Sequence, residues 1–288
     1  MILCDFNQIM YSTLLSSLGQ HTNTKLELPL LRHMVIKVLR SNNVKFRGQY
    51  GEMVLISDSR KYWRKEYFPY YKASRKKNRE KSDIDWATLY KCMDTIKAEL
   101  QTWLPYKYIC VEGTEADDVI ATLTDIHFEK AAMLRTIPEP LLILSGDKDF
   151  QQLQKHKEVK QFDPVHKKWI KATDPMATLH EHILKGDMGD GIPNVASPDN
   201  CFVLGQRQKK MTSKLMASLK NIHNEPENSY YRNYMRNKTL IDLSMIPQEL
   251  KEKIRQEYLA KTANDRSKLM TYFMHNRMKE QMENISDF

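Results

Sequence analysis

Three short apolar runs, each closed by an aspartate, constrain this chain more than any other feature. They read Met1-Ile2-Leu3-Cys4-Asp5, Met53-Val54-Leu55-Ile56-Ser57-Asp58 and Leu141-Leu142-Ile143-Leu144-Ser145-Gly146-Asp147. Strands buried on both faces of a parallel sheet look like such runs. In open sheets of this kind, ligands bind just past the carboxyl ends of the strands. The pattern therefore predicts an α/β fold, with a mainly parallel central sheet flanked by helices and three carboxylates delivered to one edge. Hard cations prefer oxygen ligands, so that edge reads as a metal site.

The rest of the chain fits around this sheet. Residues 107–111 form a fourth strand candidate, and 159–163 with 168–172 a further strand or hairpin. Helical spacing runs through 10–18, 28–41 and 83–103; in the last, Trp86, Leu89, Met93, Ile96 and Leu100 recur on one face and Pro105 lies beyond the end. Thr114 reads as an N-cap with Asp117 at the capping-box position. Past residue 175 strand signals fade, and helical periodicity takes over at 176–185, 211–222, 228–242 and 247–260. A boundary is expected there, dividing an α/β unit over 1–175 from a mainly helical region over 176–288. Gly186 to Asn200 reads as a loop or helix–turn–helix joint. The segment from Asp265 onward is expected to be loosely attached.

Two composition features bear on function. Residues 60–81 hold ten Lys or Arg against two Glu, in a chain whose formal net charge is +9. Six aromatics are interleaved there: Tyr62, Trp63, Tyr67, Phe68, Tyr70 and Tyr71. Cations that neutralise phosphates beside rings that stack on bases suit single-stranded or branched nucleic acid, although Trp63 and Tyr67 read more simply as core residues. The four cysteines, Cys4, Cys92, Cys110 and Cys201, contain no CxxC pair and read as reduced thiols, three of them buried, in a cytoplasmic protein. No signal peptide and no membrane span are apparent.

Beyond the three strand-end aspartates, Glu115, Asp117, Asp118, Asp149, Asp187 and Asp190 join the candidate pocket. Singly, each reads as a cap or turn residue. Together they would repel strongly unless cations were bound. Two divalent ions about 4 Å apart can activate a water and stabilise the leaving oxygen of a phosphodiester. Two other readings remain at this level. One is a non-catalytic, structure-specific binder of branched DNA. The other takes Asp147-Lys148-Asp149 as the paired aspartates of a phosphatase, which leaves Asp5, Asp58 and Glu115 without a role.

The chain resembles the 5′-nuclease (flap endonuclease) superfamily, and within it the ribonuclease H branch of T-even bacteriophages. The resemblance covers nearly the whole chain. It is carried by Leu3-Cys4-Asp5-Phe6, Ser57-Asp58, Tyr62-Trp63-Arg64, Tyr70-Tyr71-Lys72-x-x-Arg75 and Glu115-Ala116-Asp117-Asp118. Further on it continues through Ser145-Gly146-Asp147-Lys148-Asp149-Phe150, His166-Lys167-Lys168-Trp169 and Leu184-Lys185-Gly186-Asp187-x-x-Asp190.

This resemblance implies a flap-endonuclease-like α/β domain and a C-terminal helical region with a helix–three-turn–helix. It implies two Mg2+ ions, with Mn2+ as a substitute. Asp5, Asp58, Asp117 and Asp147 would hold the first, with Glu115 in the same pocket; Asp149, Asp187 and Asp190 would hold the second. Asp118 takes a shared or outer role. Residues 60–81 would form an arch from which Lys72 and Arg75 reach the scissile phosphate. Tyr71 becomes a candidate platform for the terminal base, with Lys76, Lys77 and Arg79 as further backbone contacts. The turn from Gly186 departs from the family's usual Gly-Ile-Gly type, so Arg207, Lys209, Lys210 and Lys214 are the expected substitutes in gripping the duplex. The activity implied is 5′→3′ exonuclease and flap cleavage of RNA–DNA hybrids and branched or nicked duplex DNA, removing RNA primers in phage lagging-strand replication. A single-strand binding protein and a sliding clamp are the expected partners of a monomeric enzyme. The final residues, 281–288, loosely resemble a clamp-binding peptide.

Overall fold

A computed structural model describes residues 1–20 and 27–288. The chain opens with β1 (Ile2–Asp5), α1 (Phe6–Gln20), α2 (Leu28–Tyr50) and β2 (Met53–Ile56). The basic stretch holds two short helices, α3 (Trp63–Tyr67) and α4 (Ser74–Glu80). Then come α5 (Trp86–Trp103), β3 (Lys107–Ile109), α6 (Ala116–Leu134) and β4 (Leu141–Leu144). A 3-10 helix over Lys148–Lys155, β5 (Val159–Asp163), β6 (Lys168–Ile170) and α7 (Pro175–Lys185) follow. The remainder is helical: α8 (Ser213–Ser218), α9 (Tyr231–Ile241), α10 (Gln248–Ala260), α11 (Leu269–His275) and α12 (Lys279–Glu283).

The six strands lie in the order β3-β2-β1-β4-β5-β6. All pairs are parallel except β5 with β6, which close an antiparallel hairpin. The first strand is central. From it the chain steps to β2 and β3 on one side, then crosses to β4 on the other. The order thus reverses beside β1, and the carboxyl ends of β1, β2 and β4 open onto that switch point.

Alternation along the strands divides two cores. Ile2, Cys4, Leu55, Leu142 and Leu144 face α1, α2 and α5. Leu3, Val54, Ile56, Ile109 and Ile143 face α6 and α10. A third cluster joins Phe68 and Tyr71 of the basic stretch to Leu179, Ile183 and Leu184 of α7 and to Tyr234, Leu240 and Ile241 of α9.

The tail differs from expectation. Leu269, Tyr272, Phe273, Met278 and Phe288 are buried in the first core, so the segment from Asp265 is docked. The signal was missed because its partners are distant in sequence: Trp103 of α5 stacks on Tyr272, and Asn43 of α2 donates to the Asp287 carbonyl. Tyr67, expected in the core, is half exposed. Between α7 and α8 lies an irregular stretch over 186–212, which includes the 186–200 segment expected as a loop or helix–turn–helix joint. Cys4, Cys92 and Cys201 are buried, Cys110 is exposed, and all four are free thiols. Among the described residues no helix is long and apolar enough to cross a membrane.

Candidate active site

Asp5 is the last residue of β1, and α1 starts at the next residue. Its Oδ1 therefore accepts from the Gln8 amide at 3.1 Å, in the first turn of that helix, while Oδ2 accepts from Ser145 Oγ at 3.0 Å. Asp58, two residues past β2, is oriented from both sides: Asn7 Nδ2 donates to Oδ2 at 2.6 Å and the Ala116 amide to Oδ1 at 2.7 Å. Asp147 follows β4, and its Oδ1 accepts from the Asp149 amide at 2.9 Å. The three strand-end acids therefore meet at one edge, held by loop and helix amides.

The N-terminus of α6 is capped one residue later than expected. Glu115 is the N-cap and Asp118 the reciprocating residue, its Oδ2 accepting from the Glu115 amide at 2.9 Å. Asp118 is fully buried and also meets the guanidinium of Arg64 at 2.8 Å and the indole of Trp63 at 3.2 Å. Its carboxylate is thus occupied in building the helix start, which leaves Asp117 free to face the other acids.

The electrostatics record that crowding. Burial, then the neighbouring Asp58, push Asp5 up to about 7. Burial together with Asp147, Asp5 and Glu115 holds Asp117 well above the ordinary carboxylate range. Burial also raises Asp147, and burial and Asp147 push Asp149 up to about 7.

Asp149 and Asp187 face each other across α7. His182, a residue that sequence reasoning missed, sits between them with Nδ1 3.2 Å from Asp149 Oδ1 and Nε2 3.2 Å from Asp187 Oδ2. Among the described residues, these three are the group whose donor atoms all lie within 4.8 Å of one another. Lys148 Nζ adds a contact to Asp187 at 2.9 Å. Burial alone would raise Asp187, but bonds from His182 and Lys148 outweigh it and hold this carboxyl well below its usual range. A histidine five residues before Asp187, on the flank of α7 next to its buried Leu179 and Ile183, was the available signal.

Asp190, the third acid expected at the second ion, lies near enough to Asp147 and Asp149 for its charge to raise both. Its carboxylate also meets the basic stretch, accepting from Arg75 at 2.6 Å and lying 3.0 Å from the Tyr71 hydroxyl. Lys72 Nζ reaches Glu115 and lies 3.5 Å from Asp190. Burial disfavours its charge, but Asp190 and Glu115 outweigh that, and the ammonium is raised above its ordinary value. Lys72 and Arg75 thus stand at the lip of the acid pocket.

Tyr71 corrects an expectation. The residue is 2 % exposed and its hydroxyl lies between two carboxylates, 3.0 Å from Glu115 Oε2 as well as from Asp190, sharing its one proton between them, so it offers no face to a base. Partly exposed rings lie instead in a cleft of about 600 Å3 beside Asp58, lined by Tyr11, Tyr62, Trp86 and Tyr90 together with Arg60, Lys65, Arg75 and Arg79. Lys76 and Lys77 are exposed on α4; Arg207, Lys209, Lys210 and Lys214 are exposed after the turn.

Residues 4–182 match the family described as 5′–3′ exonuclease, N-terminal resolvase-like domain, and residues 174–288 match that described as T4 RNase H, C terminal. The chain belongs to the 5′–3′ exonuclease family. This nuclease is 31% identical to the ribonuclease H of Enterobacteria phage T4, over 99% of its own length and 95% of the relative's. A solved complex of the bacteriophage T5 flap endonuclease with DNA and metal ions shares its fold, with TM-score 0.62 and 16% identity over 90% of this chain and 97% of that one. The T5 5′-exonuclease with bound zinc gives 0.61 and 16% over 90% and 98%.

Proposed function

We propose that this nuclease is a divalent-metal-dependent 5′→3′ exonuclease and flap endonuclease, acting on RNA–DNA hybrids and branched or nicked duplex DNA. The observation that carries the reading is the meeting of Asp5, Asp58, Asp117 and Asp147 beside the Lys72 and Arg75 cations. Burial and mutual repulsion raise Asp5, Asp117 and Asp147 above the ordinary carboxylate range, an unfavourable arrangement that a bound cation would relieve. An all-oxygen donor set of that kind fits Mg2+. Asp5, Asp58, Asp117 and Asp147 would hold one ion, and Asp149, Asp187 and Asp190 a second. When bound, such ions polarise a phosphodiester and lower the pKa of a coordinated water.

The chain's own residues supply the rest. Lys72 and Arg75 stabilise the charge that develops on the phosphoryl oxygens. Glu115 holds the Lys72 ammonium in place, and Asp190 does the same for Arg75. The aromatic and cationic cleft beside Asp58 receives the unpaired 5′ strand, with rings for bases and guanidinium groups for phosphates. Exposed Arg207, Lys209, Lys210 and Lys214 grip the duplex beyond the cut. In this reading the enzyme acts as a monomer in the host bacterial cytoplasm, removing RNA primers during phage lagging-strand synthesis beside a single-strand binding protein and a sliding clamp.

The test is cleavage of a 3′-labelled RNA–DNA hybrid and of a flapped duplex, with Mg2+ and with chelator, for wild type and Asp117→Asn. Short 5′ products that need Mg2+ and vanish in the variant, while substrate binding persists, are expected. Tight binding without cutting under any divalent ion would leave only a binder of branched DNA.

A further inference from the structure

Asp149, His182 and Asp187 form a mixed nitrogen and oxygen set beside the all-oxygen one. We infer that His182 supplies an imidazole ligand to the second cation site, and that this site therefore takes Mn2+ and similar borderline ions in preference to Mg2+. The inference rests on the reading of that cluster as a cation site and adds its ligand and its selectivity.

Three observations converge. First, the three donor atoms lie within 4.8 Å of one another, and the set draws on two separate elements: the 3-10 helix after β4 and the C-terminal end of α7 with its following turn. Second, Asp149 Oδ1 is a buried oxygen that accepts no hydrogen bond among the described residues, although His182 Nδ1 is 3.2 Å away. Burying a carboxylate oxygen without a partner is unfavourable, and a cation is the partner its lone pairs lack. Third, both ring nitrogens of His182 are directed at carboxylates, so either can turn to an ion between them without breaking a bond to the backbone.

The donor chemistry sets the preference. Magnesium favours carboxylate, carbonyl and water oxygens, whereas imidazole suits Zn2+, Cu2+, Fe2+ and Ni2+, and Mn2+ accepts both. The first set, Asp5, Asp58, Asp117 and Asp147, contains no nitrogen donor. The two sites would then differ in the ion they favour, in one pocket.

A rival explanation makes His182 a cationic spacer that, with Lys148, occupies the place of the ion. The two ideas predict opposite changes. Mn2+ and Mg2+ binding would be titrated by calorimetry on the full-length chain for wild type, His182→Ala and His182→Gln, with Asp187→Asn as the variant that removes the site. A ligand role predicts that both His182 variants weaken Mn2+ at one site by about tenfold or more and leave Mg2+ nearly unchanged. A spacer role predicts tighter binding of both ions in His182→Ala, which would overturn the inference.

Pulsed electron paramagnetic resonance of bound Mn2+ gives a direct reading. Nitrogen modulation from a coordinated imidazole is expected in wild type and absent in His182→Gln. Its absence in wild type would also overturn the inference. These readouts are independent of cleavage. Nitrogen coordination in a protein that cuts no nucleic acid would leave this inference standing and remove the proposed function. Cleavage with no nitrogen signal would do the reverse.

Discussion

The amide of Lys72 donates to the carbonyl of Asp190 at 2.7 Å, pinning the basic stretch to the turn that follows α7. Lys72 itself has φ 55°, so the chain bends sharply at the residue that carries the site's ammonium. The contact requires Gly191, whose φ is +73° and whose absent Cβ would lie 2.9 Å from the Tyr70 carbonyl. Gly191→Ala is expected to lower stability by about 1–3 kcal/mol, from left-handed strain and from displaced backbone. Trypsin should then cut faster between 60 and 81. An unchanged urea midpoint with unchanged proteolysis would show that the turn does not hold the segment.

Lys72 and Arg75 make separable contributions. Lys72→Met should reduce single-turnover cleavage by about 10²–10³-fold, the scale for losing a charge stabiliser in the transition state. Arg75→Met should lose less, because its side chain is half exposed and water screens it. Neither change should abolish metal binding, since neither residue belongs to the acid sets. If Lys72→Met cuts normally, the electrostatic role assigned to it is wrong.

The raised carboxyls give stability a defined pH dependence. Asp5 and Asp149 are pushed up to about 7 in the folded chain by burial and neighbouring charge. The unfolded chain releases these protons near pH 4, so the folded state binds more protons between those values. Metal-free stability should therefore fall as pH rises from about 4 to 7, by on the order of 1–3 kcal/mol after the coupling among these acids. Asp187, held low, pulls the other way only below the ordinary carboxylate range. Divalent ions should reverse the loss above pH 7. Chelated protein that is as stable at pH 8 as at pH 5 would contradict this.

Legibility in the sequence followed how local each cause was. Asp5, Asp58 and Asp147 could be read because an apolar run and its strand end are neighbours in sequence. The same runs implied a mainly parallel sheet, which the five parallel strands β3, β2, β1, β4 and β5 form, but not the order of those strands. At α6 a shift of one residue in the cap exchanged the roles of neighbouring acids, and cap position depends on Arg64 and Trp63, some fifty residues away. Tyr71 resisted for the same reason, since what it faces is set by the docking of the basic stretch on α7 and α9. An aromatic among lysines looks like a stacking platform until its hydroxyl is seen to have two carboxylates for partners.

Arg64 is the polar keystone of that region. Its guanidinium meets Glu115 at 3.0 Å and Asp118 at 2.8 Å, and its Nε donates to the Leu240 carbonyl at 2.9 Å. All three partners are buried. Arg64→Met would leave two buried carboxylates short of a counter-charge, a loss on the order of 3–5 kcal/mol. The start of α6 should loosen, and Asp117 with it, so cleavage should fall together with stability. Hydrogen exchange along residues 115–120 is the discriminating measurement: protection equal to wild type would mean the capping box stands without Arg64.

Phe288 tests whether the docked tail matters to the chemistry. Its ring packs against Phe273 with centroids 5.0 Å apart and is nearly fully buried. It lines a hollow with Met53 and Lys107, the first residues of β2 and β3, and so sits at the sheet's amino edge, opposite the acids. Phe288→Ala is expected to destabilise by about 3 kcal/mol, the scale for truncating a buried phenylalanine. Exchange should rise across 265–288 while single-turnover cleavage stays near wild type. A peptide from this tail would have to leave that seat before any clamp could take it. Phe288→Ala should therefore strengthen clamp binding if the tail's backbone and remaining side chains carry the contact. Clamp-dependent activity that is identical in Phe288→Ala and in a chain ending at residue 280 would place the clamp contact, if one forms, elsewhere on the surface.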